Sequence, residues 1–400
     1  MQYDADQRLD RSEVHMNELP ELNREEIRRY LRHLVLPEIG VGGQRRLKAA
    51  RVLVVGAGGL GSPVLLYLAA AGVGAIGVVD ADVVSVSNLQ RQIVHGESSL
   101  GRPKVESARV RLHDLNAEVE ISTHDEAFTS ATAERIASGY DMVVDGTDNF
   151  PTRYLINDVC LKLGIPFVYG AIFRMEGQVS VFCAEDGPCY RCVFPNPPPP
   201  DGVMTCEEAG VLGVVPGTIG TLQATEAMKL ILKLGSPLVG RLLIYSADEM
   251  RFETVSVEKN PECPVCGTHR SRIELIDYEG FCSVPAGSPE DFLPPEAQIE
   301  PSELKRILDV GEPVRIVDVR QPIEWEIVHL EESTLIPRDR LSFELDTFDR
   351  DEKIVVVCRS GLRSGWVVAE LRESGFRNAR NLAGGIIAWV REIAPHLPTY

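Results

Sequence analysis

Residues 51–80 read RVLVVGAGGLGSPVLLYLAAAGVGAIGVVD, and this stretch decides the fold class. Arg51 to Val55 is a short apolar run that reads as a buried strand. Ser62 to Ala71 reads as a helix, and Ala75 to Asp80 as a second strand. Between the first strand and the helix stands Gly56-Ala57-Gly58-Gly59-Leu60-Gly61. The glycines allow a tight turn, and backbone N–H groups at a helix N-terminus can approach a phosphate there. Asp80 ends the second strand, where a carboxylate accepts hydrogen bonds from ribose hydroxyls. Val64 to Val79 is uncharged, but it is short and interrupted by Gly72, Gly74 and Gly77. It therefore reads as a buried helix and strand, not a membrane span.

The same alternation continues on both sides. Ile27, Tyr30, Leu31, Leu34 and Val35 recur at helical spacing from Arg24 to Leu36, before Pro37. Lys104 to Leu115 and Thr221 to Leu234 read as helices, Asp141 to Asp145 as a strand, and Gln178 to Cys183 as an antiparallel extension. This predicts an α/β fold, a Rossmann-like doubly wound sheet with helices on both faces, over residues 21–267. Residues 1–20 are polar and expected to be flexible. Residues 268–300 hold seven acids against two bases, with Pro285, Pro289, Pro294 and Pro295, so 268–295 reads as an acidic linker. Residues 296–400 return to βα alternation and predict a second α/β domain. There Val314–Val319 and Ile354–Val357 are strands, and Arg363–Ser374 and Gly385–Ile393 are helices.

Composition excludes several classes. The chain has 400 residues, 44% apolar and 25% charged, as expected for two or three globular domains. Its net charge of −18 disfavours binding to nucleic acid or to an anionic membrane surface. Nine cysteines, an odd number with two C-x-x-C pairs, argue for metal or catalytic use in a reducing compartment. Asp4, Asp6, Arg8, Asp10, Arg11 and Glu13 leave no apolar leader. A cytoplasmic location is expected.

Four groups of residues carry chemistry. Asn88, Arg91, Lys104 and Asp148 follow predicted strands and should gather at the nucleotide edge of the sheet. Hydride transfer to NAD does not require them. Phosphoryl or adenylyl transfer from ATP does, because cations neutralise the triphosphate and a carboxylate holds Mg²⁺. Cys189, Cys192, Cys263 and Cys266 form two C-x-x-C knuckles, suited to a structural Zn²⁺. Disulfides or buried thiols are the alternative. Cys206 lies beside Glu207 and Glu208, which raise a thiol pKa, so locally it reads as inert. Cys358-Arg359-Ser360-Gly361-Leu362-Arg363-Ser364 joins a strand to a helix. A helix N-terminus and two arginines should favour a thiolate, and a loop curled around the sulfur should aim several N–H groups at it. That environment suits a persulfide, and also a protein-tyrosine phosphatase.

Residues 24–267 resemble the ThiF/MoeB adenylyltransferases, relatives of ubiquitin-activating enzymes. The matching pieces are GAGGLG at 56–61, SNLQRQ at 87–92, PKVESA at 103–108, DGTDN at 145–149, RMEGQ at 174–178 and TCEEAG at 205–210. The resemblance implies that Asp80, Asn88, Arg91 and Lys104 contact ATP and that Asp148 serves Mg²⁺. Arg32, in Arg29-Tyr30-Leu31-Arg32-His33, matches an arginine that reaches the partner subunit's ATP, which implies a homodimer. Read alone, Arg32 is a surface cation. Family members also use the cysteine matching Cys206 to attack the adenylated carrier or resolve a disulfide.

Residues 296–400 resemble a rhodanese domain, through Asp318-Val319-Arg320, the Cys358–Ser364 loop and Leu382-Ala383-Gly384-Gly385-Ile386-x-x-Trp389. Val328 stands where the family usually has glycine, which puts the local turn in question. The domain order resembles the fused adenylyltransferase/sulfurtransferases of the MoeZ kind. The resemblance implies a ubiquitin-like sulfur-carrier protein ending in Gly-Gly as partner, and a cysteine desulfurase or thiosulfate as sulfur donor. Two rival readings are an NAD-dependent oxidoreductase fused to a phosphatase-like domain, and a non-catalytic carrier-binding scaffold.

Overall fold

The computed structural model describes residues 19–184, 187–198, 209–267, 272–282, 293–345 and 348–398. The chain divides into two compact units, Met1–Ser283 and Val284–Tyr400.

The first unit is built on strands β1 (Arg51–Val55), β2 (Ala75–Val79), β3 (Glu120–His124), β4 (Met142–Asp145), β5 (Phe167–Phe173), β6 (Glu176–Phe182), β7 (Arg241–Ser246) and β8 (Arg251–Ser256). Their order is β3-β2-β1-β4-β5-β6-β7-β8. The sheet is parallel from β3 to β5 and antiparallel from β6 onward. The near-continuous apolar sequences of β1 and β2 follow from cover on both faces. One face packs on the Gly61–Ala71 helix through Val64, Leu65 and Leu68, and on the Val214–Leu232 helix through Ala224 and Ala227. The other packs on the Phe150–Leu163 helix through Tyr154, Leu155, Ile156 and Val159. Because β1 lies between β2 and β4, the loops after all three strands meet at one edge.

Three segments differ from the sequence reading. The helix expected over Arg24–Leu36 breaks at Tyr30 into Arg24–Arg29 and Leu31–Leu34. Tyr30 is buried: its hydroxyl accepts from Asn116 Nδ2 at 2.8 Å, and its ring covers Gly72. The helix expected from Thr221 begins at Val214, with Pro216 in its first turn, where no N–H is required. The expected linker is also cut short, because residues 272–282 pack on the first unit. Tyr278 is buried and donates to Asp158 Oδ2 at 2.7 Å. Arg191 grips the same carboxylate at 3.0 and 2.7 Å. Ser130 Oγ donates to the Ile276 carbonyl.

The second unit carries β9 (Gln298–Ile299), β10 (Arg315–Asp318), β11 (Ser333–Leu335), β12 (Ile354–Val357) and β13 (Ala379–Leu382). They form one parallel sheet ordered β11-β10-β12-β13-β9, with apolar clusters on both faces. Val328 has φ −161° and ψ 138°, extended backbone that needs no glycine. Its side chain joins the core. The departure at this position therefore strains nothing. Among the described residues no helix is long and apolar enough to cross a membrane.

Asp158 holds Arg191, Tyr278 and the Asn157 amide in a buried setting. Asp158→Ala leaves the Arg191 guanidinium without its carboxylate and should destabilise the first unit by about 3–5 kcal/mol. Tyr278→Phe removes one hydrogen bond and should cost about 1–2 kcal/mol. Urea unfolding read by hydrogen–deuterium exchange of first-unit peptides checks both, since all three tryptophans lie in the second unit.

Candidate active sites and metal centre

A pocket opens where the loops after β1, β2 and β4 converge. Gly56, Gly58, Gly59, Asp80, Arg91, Lys104 and Asp148 all line it. Gly56 adopts φ +99°, a left-handed conformation open to glycine. A Cβ on Gly61 would lie 1.9 Å from the Gly56 carbonyl oxygen, so the loop can fold this tightly only with glycine there. The Asp80 carboxylate fastens the loop: Oδ2 accepts from the Ala57 N–H at 2.8 Å and Oδ1 from the Asp82 N–H at 2.9 Å. Burial pushes the Asp80 carboxyl above its ordinary value, against the pull of Lys104. Lys104 is buried, and its ammonium donates to Asp82 Oδ2 at 2.8 Å. Asp82 is largely exposed, so an anion in the pocket can take its place at modest cost. Arg91 folds back onto the Ser87 carbonyl at 3.0 Å. Asp148 is exposed at the mouth.

Residues not expected from the sequence hold these groups. His95 Nε2 lies 2.9 Å from the Ala57 carbonyl oxygen, and Nδ1 lies 2.9 Å from Ser107 Oγ. A carbonyl only accepts, so Nε2 carries the proton and Nδ1 accepts from Ser107. Burial keeps the ring below its ordinary value and neutral. Under the Asp148 turn, Asp145 Oδ1 accepts from the Thr147 N–H and hydroxyl at 2.9 and 2.6 Å. Its Oδ2 accepts from Arg153 Nε at 2.9 Å. Burial works against the Arg153 charge, and the Asp145 carboxylate together with Tyr169 and Tyr190 more than offsets it, so Arg153 titrates above its ordinary range. Gln92 also lines the pocket, buried, with its Oε1 unpartnered among the described residues.

The sequence-predicted residues divide as follows. Asn88 is outside the lining: its Oδ1 accepts from the Ser85 N–H and shapes the turn that carries Arg91. Arg32 is exposed on the Leu31–Leu34 turn, outside this pocket. Cys206 lies outside the described residues.

Cys189, Cys192, Cys263 and Cys266 meet in one cluster, with all Sγ atoms within 4.8 Å of one another. Neighbouring sulfurs stand 3.7, 3.7 and 3.4 Å apart. The edge of a tetrahedron with Zn–S bonds of about 2.3 Å is about 3.8 Å, so the four thiols fit zinc. Disulfides are not formed, since all four cysteines are free. Four sulfurs fill the coordination shell and leave no position for substrate.

In the second unit, Cys358 is buried at the end of β12. Its Sγ accepts from the Gly361 N–H at 3.1 Å and stands 3.1 Å from Ser364 Oγ. One amide and one hydroxyl thus replace, among the described residues, the several N–H groups expected. Gly361 sits at φ +91°. From below, the Ile386 N–H donates to the Cys358 carbonyl at 2.8 Å and the Ile387 N–H to that of Arg359 at 3.1 Å. A Cβ on Gly385 would lie 2.5 Å from the Cys358 oxygen. Arg363 does not point a free charge at the sulfur: its fork holds the buried Glu324 carboxylate at 3.1 and 2.8 Å. Arg359 is half-buried, Ser360 and Leu362 are exposed, and Ser364 is buried. Arg320 is fully buried against Asp318 and donates to the Val328 carbonyl at 2.7 Å.

A ThiF family model matches residues 30–265 and a rhodanese-like domain model matches 300–392. The chain belongs to the ThiF family, with a rhodanese-like domain behind it. It is 45% identical over 386 residues to the probable adenylyltransferase/sulfurtransferase MoeZ of Mycobacterium tuberculosis, covering 95% of this chain and 96% of that one. It is 44% identical to the adenylyltransferase and sulfurtransferase MOCS3 of Culex quinquefasciatus, covering 96% and 92%. Among solved structures, Escherichia coli MccB with MccA-N7isoAsn matches with a TM-score of 0.54 and 23% identity, covering 60% of this chain and 75% of that one. That likeness supports the fold of the ThiF unit.

Two outcomes are expected. Elemental analysis of the purified chain should find one zinc ion per chain, and Cys263→Ser should lose it. Acid should release the metal, because protons compete for the thiolates. The second outcome concerns His95 in the ThiF unit, whose folded value lies below its ordinary value of 6.5. As pH falls through 6.5, the unfolded chain takes up the proton first, so His95 subtracts stability on the acid side. His95→Gln keeps a donor for the Ala57 carbonyl and should flatten this loss between pH 7 and 5, read as Tm against pH.

Proposed function

We propose that the ThiF unit adenylates the C-terminal glycine of a ubiquitin-like sulfur-carrier protein, and that the rhodanese-like unit converts it to a thiocarboxylate. The observation that carries this reading is the convergence of Arg91, Lys104 and Asp148 on the pocket of the glycine loop, in a chain that also buries Cys358 in a hydrogen-bonded loop. An NAD enzyme has no use for that cation–carboxylate set. The names of the relatives support the same pair of activities.

In this reading the ATP phosphates lie over Gly56–Gly61, with the Lys104 ammonium exchanged from Asp82 to a phosphate oxygen. Arg91 releases the Ser87 carbonyl and turns to the same phosphates. Asp80 keeps its two backbone bonds and offers remaining lone pairs to the ribose. Asp148 would hold a Mg²⁺ ion, which would neutralise charge on the phosphates. The carrier's carboxylate attacks the α-phosphorus, and pyrophosphate departs. Arg32 completes the site of a partner subunit in a homodimer.

A carboxylate does not exchange oxygen for sulfur unaided, because oxide does not leave; the mixed anhydride loses AMP instead. The outer sulfur of a Cys358 persulfide attacks the acyl carbon and gives an acyl disulfide. The Cys206 thiolate then attacks the Cys358 sulfur of that disulfide. The thiocarboxylate leaves, and a Cys206–Cys358 disulfide remains for a thiol reductant to open. The persulfide sulfur comes from a cysteine desulfurase or thiosulfate.

ATP–pyrophosphate exchange tests the first half. Exchange should depend on a carrier ending in Gly-Gly and fall at least about a hundredfold in Asp148→Ala. Cys358→Ala should retain exchange and lose thiocarboxylate formation. Full exchange in Asp148→Ala would remove the assignment of that residue.

A further inference from the structure

Ser364 Oγ stands between two acceptors. Cys358 Sγ is 3.1 Å away and Asn381 Oδ1 is 2.6 Å away. A serine hydroxyl carries one proton, so it serves one of them at a time. Asn381 lies on β13 and is buried. Its Nδ2 donates to Gln298 Oε1 at 2.9 Å, which turns Oδ1 toward Ser364. Nothing in the adenylation or transfer steps above uses Asn381.

We infer that Asn381 is a positioning residue that competes with Cys358 for the Ser364 proton. In the thiol form, Cys358 S–H donates to Ser364 Oγ, and Ser364 donates to Asn381 Oδ1. Both bonds are made. When the thiol proton leaves to solvent, Ser364 turns its hydroxyl to the thiolate and Asn381 loses its donor. Asn381 therefore favours the thiol, and Ser364 provides the thiolate with a donor. The arrangement limits how much thiolate stands idle in the buried loop before a sulfur donor arrives. It deepens the reading of Cys358 as the sulfur-carrying thiol and rests on it for its purpose.

Charged groups on the surrounding elements pair with one another: on the helix that carries Ser364, Glu370 pairs with Arg338 and Arg372 with Glu296, and Arg391 pairs with Glu392. Asp318 and Arg320 pair at the end of β10, and Glu324 pairs with Arg363. Arg380 on β13 pairs with Glu303. Arg359 sits on the loop itself. None is altered in the variants below.

The test is an NMR titration of Cys358 in the full chain, labelled with ¹³C at cysteine Cβ, with its signal assigned by its absence from Cys358→Ser. Ionisation is read without any sulfur donor or carrier, so failure here is distinguishable from failure of the sulfur-transfer reading. Ser364→Ala should move the midpoint to higher pH. Asn381→Ala should move it to lower pH, by about half a unit to one unit. In Ser364→Ala the further change Asn381→Ala should have no effect, since Asn381 acts only through Ser364. An unchanged indole signal from Trp389, in the core of the second unit, reports an intact fold. Asn381→Leu, which keeps the volume on β13, replaces the alanine variant if that fails to fold. A midpoint that stays put or rises in the Asn381 variants would overturn the proposal, because Asn381 would then be presenting its NH₂ to Ser364. A shift that persists without Ser364 would overturn it as well.

Discussion

Asp145 and Arg153 are buried side by side at the carboxyl end of β4, and the nucleotide pocket is arranged around them. A buried pair of this kind gains little net stability, because both ions lose water. What it fixes is geometry. The carboxylate takes two donors from Thr147 and so shapes the turn that presents Asp148. The guanidinium reaches the carbonyls of Thr147 and Gly170, tying β4 to β5. Gln223 donates to the Asp145 carbonyl at 2.6 Å from the Val214–Leu232 helix. Four elements thus meet on one ion pair directly beneath the proposed metal-holding carboxylate.

The second unit repeats the device with different residues. Arg320 and Asp318 are buried at the end of β10, beside the strand that runs into Cys358. Arg363 and Glu324 form a second pair across the loop. In both units a reactive loop follows a parallel strand, and a buried arginine–carboxylate pair on the same sheet edge holds the surrounding backbone. The cost of desolvating those charges is borne by the scaffold, and the reacting groups stay exchangeable: Lys104 on an exposed aspartate, Cys358 on a serine proton.

Much of this was legible in the sequence where chemistry depends on local spacing. The β1–glycine loop–helix–β2 unit could be read because its apolar runs and glycines are contiguous. The four-cysteine cluster could be read because each C-x-x-C fixes two ligands by itself. Partnerships across long separations could not. Tyr30 breaks its helix because of Asn116 and Gly72, which no periodicity links to it. Arg363 looked like a free cation beside Cys358, and its partner Glu324 is 39 residues away. Residues 272–282 fell inside the acidic linker because the acids and prolines of 268–300 were read together, while Ile273 and Tyr278 within them are buried. His95 and Asn381 had no motif of their own and gained meaning only from the backbone and hydroxyl groups they meet.

One chain thus activates a carboxylate and then replaces its oxygen with sulfur. Intact-mass analysis of a Gly-Gly-ended carrier, after incubation with the full chain, ATP, Mg²⁺ and thiosulfate under a thiol reductant, tests it most directly. The carrier should become heavier by the difference between one sulfur and one oxygen, only with ATP and not with Cys358→Ala. A thiocarboxylate that forms equally well in Cys358→Ala, or without ATP, would contradict it.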